Sequence, residues 1–174
     1  LTINFSKYQK HFVVVYFFVL FLFCWLVSDD YGVTLDDEHY YKNGLSSYLY
    51  VKYFFLSLFN QDINLLEFKS KLKEWPTVFE LLLISLSKIL NLNKFEDIYF
   101  LSHKLNFLIF FSSLIVFYKL ISKRFGNELL SLCSVTFLIF SPRIFAESFY
   151  NSRDIFFLSL FIFYIYYSYK FVKE

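Results

Sequence analysis

The feature that most constrains this chain is an uninterrupted apolar segment near its beginning. Between Lys10 and Asp29, residues 11–28 contain no Lys, Arg, Asp or Glu. At about 1.5 Å per residue, a helix of this length covers most of the ~30 Å hydrocarbon core of a bilayer. The segment therefore predicts a first transmembrane helix.

A cleaved signal peptide is the alternative interpretation of this segment, because a short basic stretch precedes it. No small-x-small cleavage site follows residues 25–28 (Trp-Leu-Val-Ser), which favours a retained helix. The chain starts with Leu1 and its last apolar run stops at residues 170–174, so we expect a fragment of a longer protein.

Three further apolar runs predict additional spans at about 99–121, 128–145 and 154–170. Hydrophobic residues make up 57% of the chain, with 27 Phe and 15 Tyr, which is too apolar for an ordinary soluble domain. Cys24 and Cys133 each lie within an apolar run, so we interpret both thiols as structural. The 17 Lys and Arg nearly balance the 15 Asp and Glu, so no basic field predicts binding to nucleic acid.

The stretch 29–98 predicts a long external loop that carries interfacial helices. Residues 38–59 have apolar positions at irregular spacings of three and four, which is typical of a helix at the membrane surface. A second helix is expected to open at Pro76 and to run to about residue 92. Its length permits a crossing, but Glu80 and Lys88 would each cost roughly 2.5–3.5 kcal/mol at the membrane centre. We therefore predict that this helix lies at the outer surface or is partly inserted.

The distribution of basic residues supports the same topology. If segment 76–92 does not cross, three short basic groups fall on one side, as the positive-inside rule requires. These residues are Lys7, Lys10, Lys119, Lys123, Arg124, Lys170 and Lys173. If the segment crosses, the group at 119–124 lies outside and Asp154 lies inside. We therefore predict an all-α integral membrane protein with about four spans, and with Asp36 and Asp154 on the non-cytoplasmic side.

Three adjacent acids, Asp36, Asp37 and Glu38, follow the first span. Neighbouring carboxylates at a low-dielectric boundary are suited to a general base or a cation site. A solvated acidic run that only orients the following helix is the alternative interpretation. This cluster is the strongest local indication of chemistry in the chain.

A second polar group lies between the last two predicted spans, in the segment 141–154. It contains Arg143, Arg153 and Asp154. The planar guanidinium of Arg binds phosphate through two parallel hydrogen bonds, which favours a phosphate-binding site in this segment. The alternative interpretation is that these residues are ordinary charges at helix ends. Glu80 is a third candidate, because an ionisable residue inside an apolar helix is costly.

Three segments together resemble a known family. They are the pair Asp36-Asp37 after the first span, the segment Trp-Pro-Thr-Val-Phe-Glu (75–80), and Ser-Pro-Arg-Ile-Phe-Ala-Glu-Ser-Phe-Tyr-Asn-Ser-Arg-Asp-Ile (141–155). They resemble the family 39 polyprenyl-phosphate-sugar glycosyltransferases of the GT-C superfamily, which include protein O-mannosyltransferases and lipid A aminoarabinose transferases. The resemblance covers nearly the whole chain and corresponds to the N-terminal third of such enzymes. Segment 141–155 is its most specific part.

The resemblance implies a GT-C-like fold and an inverting transfer of a sugar from a polyprenyl-phosphate donor to an acceptor hydroxyl on the non-cytoplasmic face. Asp36 matches the family's first-loop catalytic acid, and Asp37 is the second member of the pair. Asp154 matches the acidic position of the second loop, and Glu80 a polar position near the donor phosphate. The implied partners are the donor, an acceptor glycan, lipid or protein, and membrane lipid, at the periplasmic face of a bacterial inner membrane.

One position departs from the family's pattern. Where those enzymes have Pro-Pro or Lys-Pro, this chain has Trp75-Pro76, so no phosphate-binding lysine is assigned there. Arg143 and Arg153 are the candidates for that role. The need for a divalent cation stays open, and His39 and His103, which have no partner at metal-ligand spacing, are interpreted as structural.

Two other interpretations share the predicted topology. The first is a non-catalytic membrane module, such as a transporter or flippase fragment in which buried acids guide a cation or a head group. The second is a truncated and inactive product, because the downstream helices that complete a GT-C pocket are not part of these 174 residues.

Overall fold

A computed structural model describes residues 5–32, 34, 37–59 and 78–173, and all regular structure in these ranges is helical. This confirms the all-α architecture in its coarse form. A 3-10 turn at Ser28–Asp30 follows the first helix. The α-helices are α1 (Phe5–Val27), α2 (Asp37–Ser57), α3 (Val78–Ile89), α4 (Phe95–Phe125), α5 (Glu128–Ile139), α6 (Pro142–Tyr150) and α7 (Asp154–Lys173).

Three described helical segments are long and apolar enough to cross a membrane. They are Lys10–Asp30, Phe95–Phe125 and Asp154–Lys173, and the bent pair α5 and α6 makes a fourth if it is one broken span. The chain is therefore compatible with a multi-pass membrane protein. Its orientation in the membrane, and with it the side on which Asp36 and Asp154 lie, stays a prediction.

The run predicted as one helix at 128–145 is divided into two. Helix α5 ends at Ile139, and α6 begins at Pro142 after a bend of 67°. The bend follows from the proline, because the ring of Pro142 disfavours helical geometry at the residue before it. Ser141 accordingly has an extended ψ of 119°, while Pro142 takes the first position of the new helix.

The chain forms two compact units. Unit 1 comprises Leu1–Tyr31 and His103–Glu174, and unit 2 comprises Gly32–Ser102. Hydrophobic side chains of α1, α4, α5 and α6 form the interior of unit 1. Those without exposed surface are Cys24, Phe107, Phe110, Leu114, Val135, Ile139 and Phe149.

Aromatic rings connect the helices of unit 1. Phe107 lies within 6 Å, centroid to centroid, of Phe21, Phe111 and Phe149. Tyr31, directly after the 3-10 turn, stacks on Phe149 at 4.7 Å. These stacked and tilted contacts fix α1, α4 and α6 against one another near the C-terminal end of α1.

Unit 2 is centred on the contact between α2 and α3. A Cβ atom placed on Gly44 would lie 2.8 Å from Cβ of Glu80 and 3.0 Å from its carbonyl oxygen. Only a residue without a side chain permits this approach. Glu80 is therefore buried beside α2.

The two loop helices lie close to their predicted positions. The predicted helix 38–59 is α2, and the predicted helix 76–92 corresponds to α3, whose described part starts at Val78. Helix α3 ends in a Schellman motif, with Asn91 at a φ of 55° and hydrogen bonds from Asn91 to Lys88 and from Leu92 to Ser87. As described, α3 is about 18 Å long at 1.5 Å per residue. That it does not cross the membrane stays a prediction.

Candidate functional site

The acid cluster after the first span is partly visible in the structure. Asp36, the predicted catalytic acid, lies outside the described residues, as does Trp75-Pro76. Asp37 opens α2, where its Oδ2 accepts a hydrogen bond from the backbone N–H of Thr34 at 2.6 Å. The N–H of Asp37 donates to the carbonyl of Thr34 in return. This is one half of a capping box, so the Asp37 carboxylate closes the start of α2.

Glu38 also has a local partner. Its carboxylate pairs with Lys42 one turn later, at 2.6 Å, and both side chains are about two-thirds exposed. The hydrogen bond and the charge of Lys42 lower the pKa of Glu38. An exposed pair of this kind contributes little to stability.

Glu80 belongs to unit 2 and is the most buried of the predicted acids. Only 3% of the residue is exposed, at the point where α2 and α3 approach most closely. Asn43 and Ser47 of α2 and Ser87 of α3 are buried in the same unit. Each serine donates its hydroxyl hydrogen back to a carbonyl of its own helix. Glu80 is thus an ionisable residue buried inside a helix pair. Its predicted place near a donor phosphate stays a prediction.

The second polar group, in unit 1, is organised by Asn151. Its Oδ1 accepts hydrogen bonds from the backbone N–H groups of Arg153 and Asp154, at 3.3 and 3.1 Å. Its amide Nδ2 donates to Asp154 Oδ2 at 3.0 Å. Asn151 therefore caps the N-terminus of α7 and at the same time fixes the direction of the Asp154 carboxylate.

The two predicted phosphate-binding arginines differ in surroundings. The side chain of Arg143 is 81% exposed, and its Nε donates to Glu147 Oε1 at 2.8 Å within α6. Arg153 is half-buried in the turn between α6 and α7. The exposed guanidinium of Arg143 thus has N–H groups besides Nε–H that can bind an anion. Arg153, in contrast, is part of the turn.

Asn106 of α4 holds the end of α6 in place. Its Nδ2 donates to the carbonyl oxygens of Ser148 at 3.0 Å and of Glu147 at 3.4 Å. Only 1% of Asn106 is exposed, and its Oδ1 has no hydrogen-bond partner among the described residues. These carbonyls belong to the last turn of α6, so Asn106 holds the helix end that precedes the turn at 151–153.

Sequence reasoning did not identify Asn151, Glu147 or Asn106. Asn151 had a recognisable signal, since an Asn three residues before an acid at the start of an apolar run is typical of a helix cap. Glu147 also had one, four residues after Arg143. Asn106 had none, because its partners lie 41 and 42 residues away in the chain.

The candidate residues divide between the two units. Asp37 and Glu80 belong to unit 2, while Arg143, Arg153 and Asp154 belong to unit 1. The convergence of the two groups on one membrane face stays a prediction. Over the ranges that the structure describes, no group of three or more His, Cys, Asp or Glu side chains is arranged to hold a metal ion.

Comparison with models of known protein families, with curated proteins and with solved structures gives no match for this chain.

Proposed function

We propose that this protein acts in glycosyl transfer at a membrane surface. The donor is a sugar linked to a polyprenyl phosphate, and the acceptor is a hydroxyl group on the non-cytoplasmic face. The observation that supports this most directly is the turn between α6 and α7. It combines a carboxylate oriented by Asn151 with Arg153, at the start of a helix long enough to cross a membrane. Arg143 lies near the start of the preceding helix α6.

The chemistry assigns different tasks to the acids. Asp36 takes the proton from the acceptor hydroxyl while the sugar carbon is attacked, and Arg143 or Arg153 stabilises the departing phosphate. Asn151 fixes the direction of the Asp154 carboxylate. A group that binds the donor needs such a fixed direction. Asp37 is less suited to proton transfer than Asp36, because its Oδ2 already accepts the Thr34 N–H.

The test measures transfer of radiolabel from a polyprenyl-phosphate sugar into acceptor fractions, in membranes of cells that make the complete gene product. Asp36→Asn keeps the shape of the side chain but cannot accept a proton at neutral pH, so transfer should fall by roughly 10²–10⁴-fold. Asp37→Asn should be milder, because Asn also caps helices well. Asp30→Asn, at an exposed acid outside the cluster, is the matched control.

Full transfer by Asp36→Asn, with normal membrane insertion of every variant, would contradict the assignment of the base. Absence of transfer from every polyprenyl-linked sugar by the unmodified protein would contradict the proposed function as a whole.

A transporter or flippase module is the second candidate, and the buried Glu80 is the observation that favours it. An ionisable group inside a helix pair is a common element of proton and cation pathways. In that case Glu80→Gln should abolish pH-dependent movement of a head group or cation across proteoliposome membranes, while Asp36→Asn should have little effect. If both variants retain transport activity, this candidate is excluded.

A further inference from the structure

Helices α1 and α4 of unit 1 run in opposite directions. Near the end of α1, the ring of Trp25 lies 5.0 Å from Nζ of Lys104, close to the described start of α4 in this unit. Further back along α1, the rings of Phe17 and Tyr118 are 5.7 Å apart, centroid to centroid. The start of α1 therefore lies at the same end of unit 1 as the end of α4.

Helix α7 also ends there. Nζ of Lys123, on α4, lies 5.6 Å from the ring centroid of Tyr166, on α7. Lys119 precedes Lys123 by one helical turn, and Lys170 follows Tyr166 by one turn, so each pair shares a face of its helix. Cations from two helices that are distant in the chain are thus placed on either side of one ring.

This basic end of unit 1, formed by the start of α1 and the ends of α4 and α7, is not balanced by acids. Its bases are Lys10, Lys119, Lys123, Arg124, Lys170 and Lys173. Over the described ranges its one acid is Glu128, and Glu174 lies outside those ranges. The opposite end of unit 1, in contrast, has nearly equal numbers of both signs, namely Asp29, Asp30, Glu147 and Asp154 against Lys104, Arg143 and Arg153. An excess of positive charge confined to one end attracts anions from outside the chain.

Exposed apolar side chains among these cations indicate which kind of anion fits. Phe171 and Val172, between the last two lysines of α7, are 88% and 83% exposed. A nucleic acid or an acidic soluble protein would leave these side chains in water, whereas the boundary between lipid head groups and acyl chains accommodates cations and apolar groups together. Tyr164 and Tyr167 of α7 are also exposed, and tyrosine is enriched at this boundary. The surroundings of the basic end therefore favour a lipid.

We propose that the basic end binds the phosphate of an anionic phospholipid head group between α4 and α7. Lys119 and Lys123 approach the phosphate from α4, and Lys170 approaches it from α7. The positive-inside rule describes how basic segments orient a chain, whereas this site depends on the convergence of two separate helices in the folded protein. It does not rest on the proposed glycosyl transfer.

The experiment titrates the full chain, purified in a mild detergent, with phosphatidylglycerol and separately with phosphatidylcholine, and measures bound lipid by native mass spectrometry. The anionic lipid should bind more tightly, and its affinity should fall as salt is added, because exposed charges are screened. The double variant Lys119→Gln/Lys123→Gln should bind phosphatidylglycerol roughly 25-fold more weakly, about fivefold for each lysine. The matched control is Lys52→Gln/Lys88→Gln, which removes the same charge from exposed positions of unit 2 and should bind like the unmodified protein.

A single variant tests whether both helices contribute. Lys170→Gln should weaken phosphatidylglycerol binding about fivefold. An unchanged affinity would show that α7 takes no part and would overturn a site between the two helices.

Helix content by circular dichroism establishes that each variant is folded. Equal affinity of the unmodified protein for the two lipids would overturn the proposal, as would equal affinity of the two double variants for phosphatidylglycerol. So would binding of a single-stranded RNA that is lost in Lys119→Gln/Lys123→Gln while phosphatidylglycerol stays bound, because the basic end would then be a surface for nucleic acid.

Discussion

Unit 1 and unit 2 bring their helices together with side chains of different kinds. In unit 1, helices α1, α4 and α6 are separated by interlocking rings, with Phe107 and Phe149 fully buried. In unit 2, α2 and α3 approach to near contact at Gly44, and the residue opposite it is the ionisable Glu80. Unit 1 therefore depends on filled volume, whereas unit 2 depends on the absence of a side chain.

The two units also differ in their buried polar groups. The buried serines of unit 1, such as Ser113 and Ser159, donate back to carbonyls of their own helices and act as small residues. Glu80 of unit 2 instead places an ionisable group in the buried contact between α2 and α3. Burying an ionisable group costs free energy, and a helix pair with a purely structural role can avoid that cost. Glu80 is therefore a functional candidate by default.

The strongest test of this comparison removes a ring from unit 1. Phe107→Ala deletes contacts with three neighbouring rings and leaves a cavity, so the free energy of unfolding should fall by about 3 kcal/mol. We expect the lower end of the usual range, because lipid or detergent also solvates apolar side chains in the unfolded state. The measurement is unfolding by SDS in mixed micelles, followed by circular dichroism.

Phe157→Ala provides the control for this experiment, because Phe157 is exposed on α7 and its truncation leaves no cavity. A change within about 0.5 kcal/mol is expected there. If Phe107→Ala were equally mild, ring packing would not be what holds unit 1 together.

The second test adds a single methyl group to unit 2. In Gly44→Ala the new Cβ would meet Glu80 Cβ at 2.8 Å, and because one of the other close atoms is backbone, the helices must separate. Overpacking of this kind should lower the free energy of unfolding by roughly 2 kcal/mol. Gly32→Ala is the matched control, since nothing lies within 4 Å of a Cβ at that position. Equal stability of the two variants would show that the close approach does not determine the stability of unit 2.

The sequence predicted the helices better than the contacts between them. An apolar run is a local property of the sequence, so such runs placed α4 and α7 within four residues of their observed bounds, and α1 within six. It also placed a helix over 38–59, where α2 lies. The break between α5 and α6 was missed because the apolar residues on both sides of Ser141-Pro142-Arg143 were taken as one run, although Pro142 was the signal for a bend.

Contacts between distant segments could not be predicted from one sequence. Gly44 lies inside α2, and its role depends on Glu80, 36 positions away. Asn106 gave no signal for the same reason. For the candidate site, the sequence predicted which acids and arginines to consider. The cap formed by Asp37 and the orientation of Asp154 by Asn151 are visible only in the structure.

A third test concerns a polar contact within unit 1, where Asn106 joins α4 to α6 through hydrogen bonds instead of ring contacts. Asn106→Leu keeps a similar volume but removes the donor to the carbonyls of Glu147 and Ser148. We expect a loss of about 1 kcal/mol, because the carbonyls lose their partner while the Oδ1 atom, which has no hydrogen-bond partner among the described residues, is also removed. Hydrogen exchange at residues 151–154 should become faster. Unchanged exchange there would show that Asn106 does not fix the start of this turn.

The smallest expected effect tests whether a polar contact adds anything to the ring packing of unit 1. Tyr16→Phe removes the hydroxyl that donates to Thr136 Oγ1 at 2.7 Å and leaves the ring in place. The free energy of unfolding should fall by about 0.6 kcal/mol, the average for hydrogen bonds between membrane helices. Because so small a change is easily hidden, Thr136→Val and the double variant should complete a mutant cycle. A coupling energy of about 0.5 kcal/mol or more between the two positions is expected. If the two substitutions are additive, α1 and α5 are joined by shape alone, and the contrast between a ring-packed unit 1 and a polar unit 2 becomes sharper.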